Sequence, residues 1–501
     1  MSPKAGTSER ARISTGIADL DNILAGGLAP SRTYLLEGTP GSGKTTIALQ
    51  YLLEGARLGE SGLYITLSET AEELRDVARS HGWSLDQIEL FELVSEAGFD
   101  PDSEQSILEP SEIELGETIR GVMDCVERIR PVRVVFDSLS EMRLLAQNPL
   151  RYRRQILSLK QYFSTLDCTV LLLDDRSSEP HDVQLHSIVH GVISLEQAAR
   201  DFGSERRRLR VVKMRGVKYR GGYHDFVIET GGVNVFPRLV AAEHHAAFTG
   251  EVMSTGVSEL DQMLGGGLTA GTNTLLTGPS GVGKTSTALH CVFSALQNGQ
   301  KAAYYLFDEV LATMLARASK LGMELAPYIE SGQLKAVQID PAELSPGEFA
   351  SRVRDAVEVD KVAILVIDSL NAFLQAMPGE KFLLLQMHEI LSYLNQQGVI
   401  TLLILGQHGV IGDVRADLDL SYLSDAIILF RYFEAKGSIL KAISITKSRT
   451  RPHESSIREF RLSANGLEVG VPLTEFEGVL GGVPAYHGRT PLMSPAQGEE
   501  R

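Results

Sequence analysis

GPSGVGKTS at residues 278–286 repeats, in a different spelling, a stretch that the chain already carries as GTPGSGKTT at 38–46. Both follow the spacing Gly-x-x-x-x-Gly-Lys-Thr. Glycines there let backbone N–H groups curl around phosphate oxygens, and a helix opening just after them turns its positive N-terminus to the same anion. The lysine reaches the outer phosphates, and the threonine hydroxyl is a magnesium ligand. The expected ATP-binding residues are therefore Gly38, Thr39, Pro40, Gly41, Ser42, Gly43, Lys44, Thr45 and Thr46, and again Gly278, Pro279, Ser280, Gly281, Val282, Gly283, Lys284, Thr285 and Ser286. ATP and Mg²⁺ are the expected cofactors.

Outward from these loops the whole chain reads as written twice. STGIADLDNILAGGL (14–28) returns as STGVSELDQMLGGGL (254–268), and Lys44 and Lys284 lie 240 positions apart. RVVFDSLSEM (133–142) answers to ILVIDSLNAF (364–373), and RRLRVVKMRG (207–216) to LKAISITKSR (440–449). Such slowly drifting offsets mean a tandem duplication of one fold. Within the first copy TYLLEG, GLYITL, VRVVFD and TVLLLD read as buried strands, separated by stretches of helical spacing. Near-continuous apolar strands between helices indicate an α/β fold, a mostly parallel twisted sheet covered on both faces. VISLEQ, RLRVVKM, DFVIE and VNVF then follow strand on strand, as an antiparallel extension. The expected division is a disordered start at 1–12, one domain at 13–245, a second at 246–475, and a flexible tail at 476–501.

Composition narrows the classes. A net charge of −16 disfavours nucleic acid and anionic membranes at long range. Cys125, Cys168 and Cys291 lie far apart, which supports neither a disulfide framework nor a CxxC metal site. No apolar run reaches the roughly 18 residues of a membrane span, and MSPKAGTSERARIS is no secretory signal. A soluble, cytoplasmic protein is the expectation.

Asp137 and Asp368 each end an apolar run, where a carboxylate can hold a metal's water shell. Thr45, Asp137, Thr285 and Asp368 are thus the expected metal residues. A buried aspartate capping a turn would look the same. Hydrolysis also needs a water-activating base, and ITLSET (65–70) and YLFDEV (305–310) offer Glu69 in the first copy and Asp308 with Glu309 in the second. Adjacent strand residues face opposite ways, so one of Asp308 and Glu309 approaches the phosphate. His181, His186 and His190 lack Cys or Glu at ligand spacing, so no metal is expected there.

The double phosphate loop, the two LDxxLxGGL strings, HGW (81–83), KMRG (213–216) and IREF (457–460) resemble the KaiC family over residues 12–485. The resemblance implies two fused RecA-like lobes and a homo-oligomeric, usually hexameric, double ring with ATP between subunits. It further implies slow ATPase activity in the first lobe, serine/threonine autokinase activity in the second, and signalling partners such as KaiB. Lys213 and Arg215, with Lys447 and Arg449, would reach the neighbouring subunit's γ-phosphate; a solvated charged edge strand or a DNA groove are the other readings of ERRRLRVVKMR (205–215). By the same resemblance Gln407 and His408 are γ-phosphate sensor candidates.

In DLDLSYLSDAIILFRYFE (417–434), Ser421 and Tyr422 stand where that family has a phosphorylated Ser-Thr pair, and Ala416 where it has a further threonine. At a 234-residue offset they face Ser187 and Ile188, so the second copy alone has two neighbouring hydroxyls. Asp308 replaces one of two glutamates usual in the family, and Ser68–Glu69 reduces the pair to one acid. Besides a phosphorylating ATPase acting as a signalling or timing switch, two functions stay open: a RecA-like DNA-dependent ATPase, and a scaffold that needs ATP only for assembly.

Overall fold

The computed structural model describes residues 11–92, 110–146, 148–175, 183–199, 203–243, 248–340, 342–375, 383–407, 421–435, 437–464, 466–481 and 485–487. The chain divides into two compact units between Arg238 and Leu239.

The first unit is built on a nine-stranded sheet. Its strands are β1 (Thr33–Gly38), β2 (Gly62–Thr66), β3 (Ile88–Glu92), β4 (Arg133–Asp137), β5 (Thr169–Asp175), β6 (Gly191–Ala198), β7 (Arg206–Met214), β8 (His224–Glu229) and β9 (Gly232–Phe236). Their spatial order is β3-β2-β4-β5-β1-β6-β7-β8-β9. Successive residues feed opposite cores: Tyr34 and Leu36 join one apolar cluster, Leu35 the other. Two-sided burial is why these strands read as unbroken apolar runs rather than alternating ones. Helix starts carry their own signals, as in Ala71–Ser80, where Thr70 and Glu73 form a reciprocal capping box.

The second unit repeats the plan. After a short pair, β10 (Val252–Met253) with β11 (Leu268–Thr269), come β12 (Asn273–Pro279), β13 (Ala302–Leu306), β14 (Leu334–Gln338), β15 (Ile364–Asp368), β16 (Ile400–Gln407), β17 (Ala426–Ala435), β18 (Ser438–Ser448), β19 (Ile457–Ser463) and β20 (Gly466–Pro472). The order β14-β13-β15-β16-β12-β17-β18-β19-β20 is that of the first sheet. Among the described residues no helix is long and apolar enough to cross a membrane.

Three features differ from the sequence reading. VISLEQ lies in β6, which pairs with β1 in parallel, so the antiparallel extension begins one strand later, at β7. In β7, Val192 pairs with Lys213 but Ile193 with Val211, so Val212 is an extra, bulged residue. The bulge flips the alternation, and Lys213 joins the face of Arg208 and Arg210 while Met214 joins Leu209 and Val211 in the core. The same bulge recurs between β17 and β18, with Thr446 as the extra residue. Finally, the segment expected to be a flexible tail from 476 starts packed. β21 (Phe476–Glu477) pairs with β22 (Ala485–Tyr486), and Val479 is buried against Phe433, Ala435 and Ala442. Residues 488–501 lie outside those described.

Candidate functional site

Each glycine loop joins the end of a central strand to a helix. β1 leads into helix Lys44–Arg57 and β12 into helix Lys284–Gln297. Neither helix has a side-chain cap or an acidic residue in its first turn, which leaves N-terminal N–H groups and positive dipole for an anion. The preceding Gly43 and Gly283 have φ of 98° and 122°. A Cβ there would also lie 2.7 Å from Ile228 Cδ1 and 2.9 Å from Leu462 Cδ1, so β8 and β19 buttress the loops from below. Ser42 Oγ is buried with no partner among the described residues.

The two loop lysines are held differently. Lys44 Nζ donates to the carbonyls of Gly38 and Thr39, both at 3.0 Å, and lies 2.7 Å from Asp175 Oδ1. Lys284 Nζ donates to Gly278 O at 2.8 Å and Pro279 O at 2.7 Å. Strand register explains the difference, since Gly38 pairs with Asp175 but Gly278 pairs with Gly406. Burial lowers the Lys284 pKa to about 8. Asp175 was not anticipated, because it reads as the last residue of a core strand.

Behind each loop the expected metal residues come together. Asp137 Oδ2 accepts from Tyr64 OH at 2.5 Å, and Asp368 Oδ2 from Tyr304 OH at 2.8 Å. Thr45 lies close enough to Tyr64, and Thr285 to Asp368, for each threonine hydroxyl to lower the pKa of its neighbour. Burial raises both aspartate pKa values. Among the described residues no group of three or more His, Cys, Asp or Glu forms a metal cluster. A hydroxyl and a carboxylate are hard oxygen donors that fit Mg²⁺, which takes its remaining ligands from phosphate and water. Tyr64 and Tyr304 escaped the sequence reading inside strands taken as plain core.

The candidate bases separate as well. Glu69 Oε2 is buried without a partner among the described residues. Burial, then Asp137, Glu73 and Asp175, raise its pKa, against the pull of Lys44. In the second lobe Glu309 Oε2 takes Arg317 Nη2 at 2.5 Å, whereas Asp308 Oδ2 accepts from the hydroxyl of Ser369, the residue after Asp368. Val77 occupies the first-lobe position 240 residues before Arg317, so Glu69 lacks that tie.

The expected trans cations also line up. Lys213 Nζ donates to the carbonyls of His186 and Val189, and Lys447 Nζ to Ser421 O at 2.6 Å and Ser424 O at 2.7 Å. Arg215 Nη2 donates to Ser187 O at 2.8 Å, and Arg449 Nη1 lies 3.5 Å from Asp425 Oδ1. These contacts correct the expected comparison. With Gly191 and Ala426 at equivalent registers, Ser421 stands opposite His186 and Tyr422 opposite Ser187. The second lobe still has the two adjacent hydroxyls, in a single 3₁₀ turn, Ser421–Leu423, where Tyr422 is exposed. His186 instead meets Glu37 Oε2 at 2.8 Å. Gln407 Oε1 accepts from Arg431 Nη1 at 2.8 Å, while His408, His181 and Ala416 lie outside the described residues.

Comparison with known proteins agrees with this arrangement. A sequence model of the KaiC ATPase matches residues 13–240 and again 253–474. The circadian clock oscillator protein KaiC of Synechococcus elongatus is 28% identical over 488 residues, 95% of this chain and 92% of that protein. The circadian clock protein KaiC3 of a Synechocystis species is 26% identical over 480 residues, 95% of each chain. The KaiC of a Nostoc species is 27% identical over 487 residues, 94% of this chain and 92% of that one.

Proposed function

The chain belongs to the KaiC family of ATPases, and from that premise we propose that it is a ring-forming enzyme that hydrolyses ATP slowly in its first lobe and phosphorylates Ser421 with its second. The observation that carries the hydrolytic half is Glu69, a half-buried carboxylate whose buried Oε2 has no partner among the described residues, close enough to Asp137 and Lys44 to feel both charges. Its raised pKa brings it nearer to that of an efficient base at neutral pH. It takes a proton from the attacking water as the γ-phosphorus–oxygen bond breaks and ADP leaves. Thr45 with Asp137, and Thr285 with Asp368, would hold Mg²⁺, which neutralises charge on the phosphates. Lys44 and Lys284 exchange loop carbonyls for phosphate oxygens.

For the second lobe, Asp308 is the better base, because Glu309 is tied to the Arg317 guanidinium while Asp308 accepts from the neutral Ser369 hydroxyl. Asp308 accepts the Ser421 hydroxyl proton, Ser421 Oγ bonds to the γ-phosphorus, and ADP departs. Lys213, Arg215 and Lys447 release their carbonyls, and Arg449 the Asp425 carboxylate, to reach a neighbouring subunit's nucleotide, which makes turnover depend on a ring, hexameric by analogy with the family. The relatives' names speak of circadian clocks. For this chain the reading is a signalling or timing switch whose nucleotide and phosphate state is read by partner proteins.

Intact-mass spectrometry with peptide mapping, after incubation with Mg-ATP, tests it. One added phosphate within 415–425 that disappears in Ser421→Ala supports the autokinase. Hydrolysis without added mass leaves only the ATPase, and no hydrolysis overturns the reading.

A further inference from the structure

A cavity of about 250 Å³ in the first lobe lies apart from the phosphate loop. Its wall includes Ser31 and Arg32 before β1, Lys160 and Ser164 of helix Pro149–Thr165, His190 before β6, and Arg215 after β7. Three of these six side chains are permanent cations, in a chain of net charge −16. Among the described residues their hydrogen-bond partners are neutral carbonyls: Arg32 donates to Ser31 O at 3.0 Å, Lys160 to Ile188 O at 2.6 Å, Arg215 to Ser187 O at 2.8 Å. Among the described residues no carboxylate lines the cavity. The neighbouring Asp167 accepts from Ser31 Oγ at 3.4 Å. Burial first, and then Arg32 and Arg215, lower the His190 pKa, as expected where positive charge is uncompensated.

The second lobe serves as an internal control. Strand register puts Thr272 at the place of Arg32 and Asp425 at that of His190, and Leu391 stands 231 residues after Lys160. There the arginine equivalent to Arg215, Arg449, faces the Asp425 carboxylate at 3.5 Å, and Asp425 also takes the Asn273 N–H at 3.0 Å. The second lobe thus supplies its own anion at this spot. The first lobe removes that carboxylate and adds two cations and an imidazole.

We propose that this cavity is a first-lobe site for a small phosphate-type oxyanion, either orthophosphate or the head of a phosphomonoester. Pockets for larger organic ligands start at about 300 Å³, so a space of about 250 Å³ suits a compact anion. Arg32, Lys160 and Arg215 give charge-assisted hydrogen bonds, and Ser31 and Ser164 complete the donor set by turning their hydroxyls from Asp167 and from Gln161 O. The ring-ATPase reading shares only Arg215 with this site, and the test acts through Lys160 and His190, which that reading does not use, so the two fail separately.

Calorimetric titration of the full chain, with both loops saturated by Mg-ADP, tests the site with orthophosphate in one arm and glycerol phosphate in the other. Binding of either at a Kd of about 1 mM or tighter is expected, weakened at least tenfold, by about 1.4 kcal/mol, in both His190→Asp and Lys160→Leu. Orthophosphate alone binding identifies a free-ion site; both binding identifies a monoester site. Unchanged ADP stoichiometry shows that the variants are folded. Binding that persists in both variants, as at the γ-position of an ADP-filled loop, overturns the proposal, as does the absence of binding by either probe.

Discussion

Asp175 Oδ1 sits 2.7 Å from Lys44 Nζ, while the second lobe has Gly406 at the same register beside Lys284. A carboxylate on the phosphate-loop lysine competes with the nucleotide for that ammonium and repels its phosphates. Asp175 is 42% exposed, so the effect is that of a solvent-screened pair. Asp175→Asn is expected to tighten ATP binding at the first loop by about three- to fivefold, near 1 kcal/mol. Fluorescent-nucleotide titration in a Lys284→Ala background reads it, and an unchanged or weaker affinity contradicts it.

Replacing Glu69 by Gln removes the base while keeping size and hydrogen-bonding capacity. First-lobe hydrolysis should fall by about 10²- to 10³-fold with ATP binding retained. A loss below tenfold in steady-state phosphate release assigns the proton to another group.

The environment of Glu69 sets a pH dependence. A base works when deprotonated, and burial with three neighbouring carboxylates raises its pKa. Hydrolysis is therefore lost as pH falls through a value above the ordinary glutamate value of about 4.3, not at it. Rates between about pH 4 and 8 show this acid limb, and Glu69→Gln abolishes it. A limb of the same position in the variant excludes Glu69 as its source.

In the second lobe, the engagement of Glu309 by Arg317 predicts unequal acids. Asp308→Asn is expected to slow phosphate incorporation at Ser421 by about 10²-fold, and Glu309→Gln by less than about tenfold. The rate of mass gain measures both, and the reverse ranking assigns the proton transfer to Glu309.

Arg133 offers a stability test. It is fully buried, donates to Ser14 O and Tyr51 O at 2.7 Å each, pairs with Glu60 at 2.6 Å, and lies over the Tyr51 ring. Arg133→Ala should cost the first unit about 3 kcal/mol. Trp83, the single tryptophan, lies in that unit against His81, so its fluorescence in urea reports the shift. A change under about 1 kcal/mol contradicts the prediction.

The phosphate loops, the strand-end aspartates and the sheet plan were legible because each rests on residues close in sequence and appears twice. Tyr64 and Tyr304 were not, since a tyrosine in an apolar strand looks like core until the neighbouring strand brings a carboxylate to its hydroxyl. Asp175 needed the register of β1 against β5. The lysine bulges and the one-residue slip that moved Ser421 from Ser187 to His186 required the partner strands, because a single insertion in one strand leaves no trace in local periodicity. The first-lobe cavity gathers residues from Ser31 to Arg215, a span closed by the parallel crossovers together with the antiparallel return of β7.

The bulged residues Val212 and Thr446 hold the same register in two copies that otherwise spell the strand differently, RRLRVVKMRG against LKAISITKSR. An extra residue inserted twice at one ladder position is a costlier history than one inherited. The bulge that orients the lysine is then older than the second lobe: the ancestral single-lobe protein already had it, and duplication copied it before the two lobes came to differ at Asp175, His190 and Ser421.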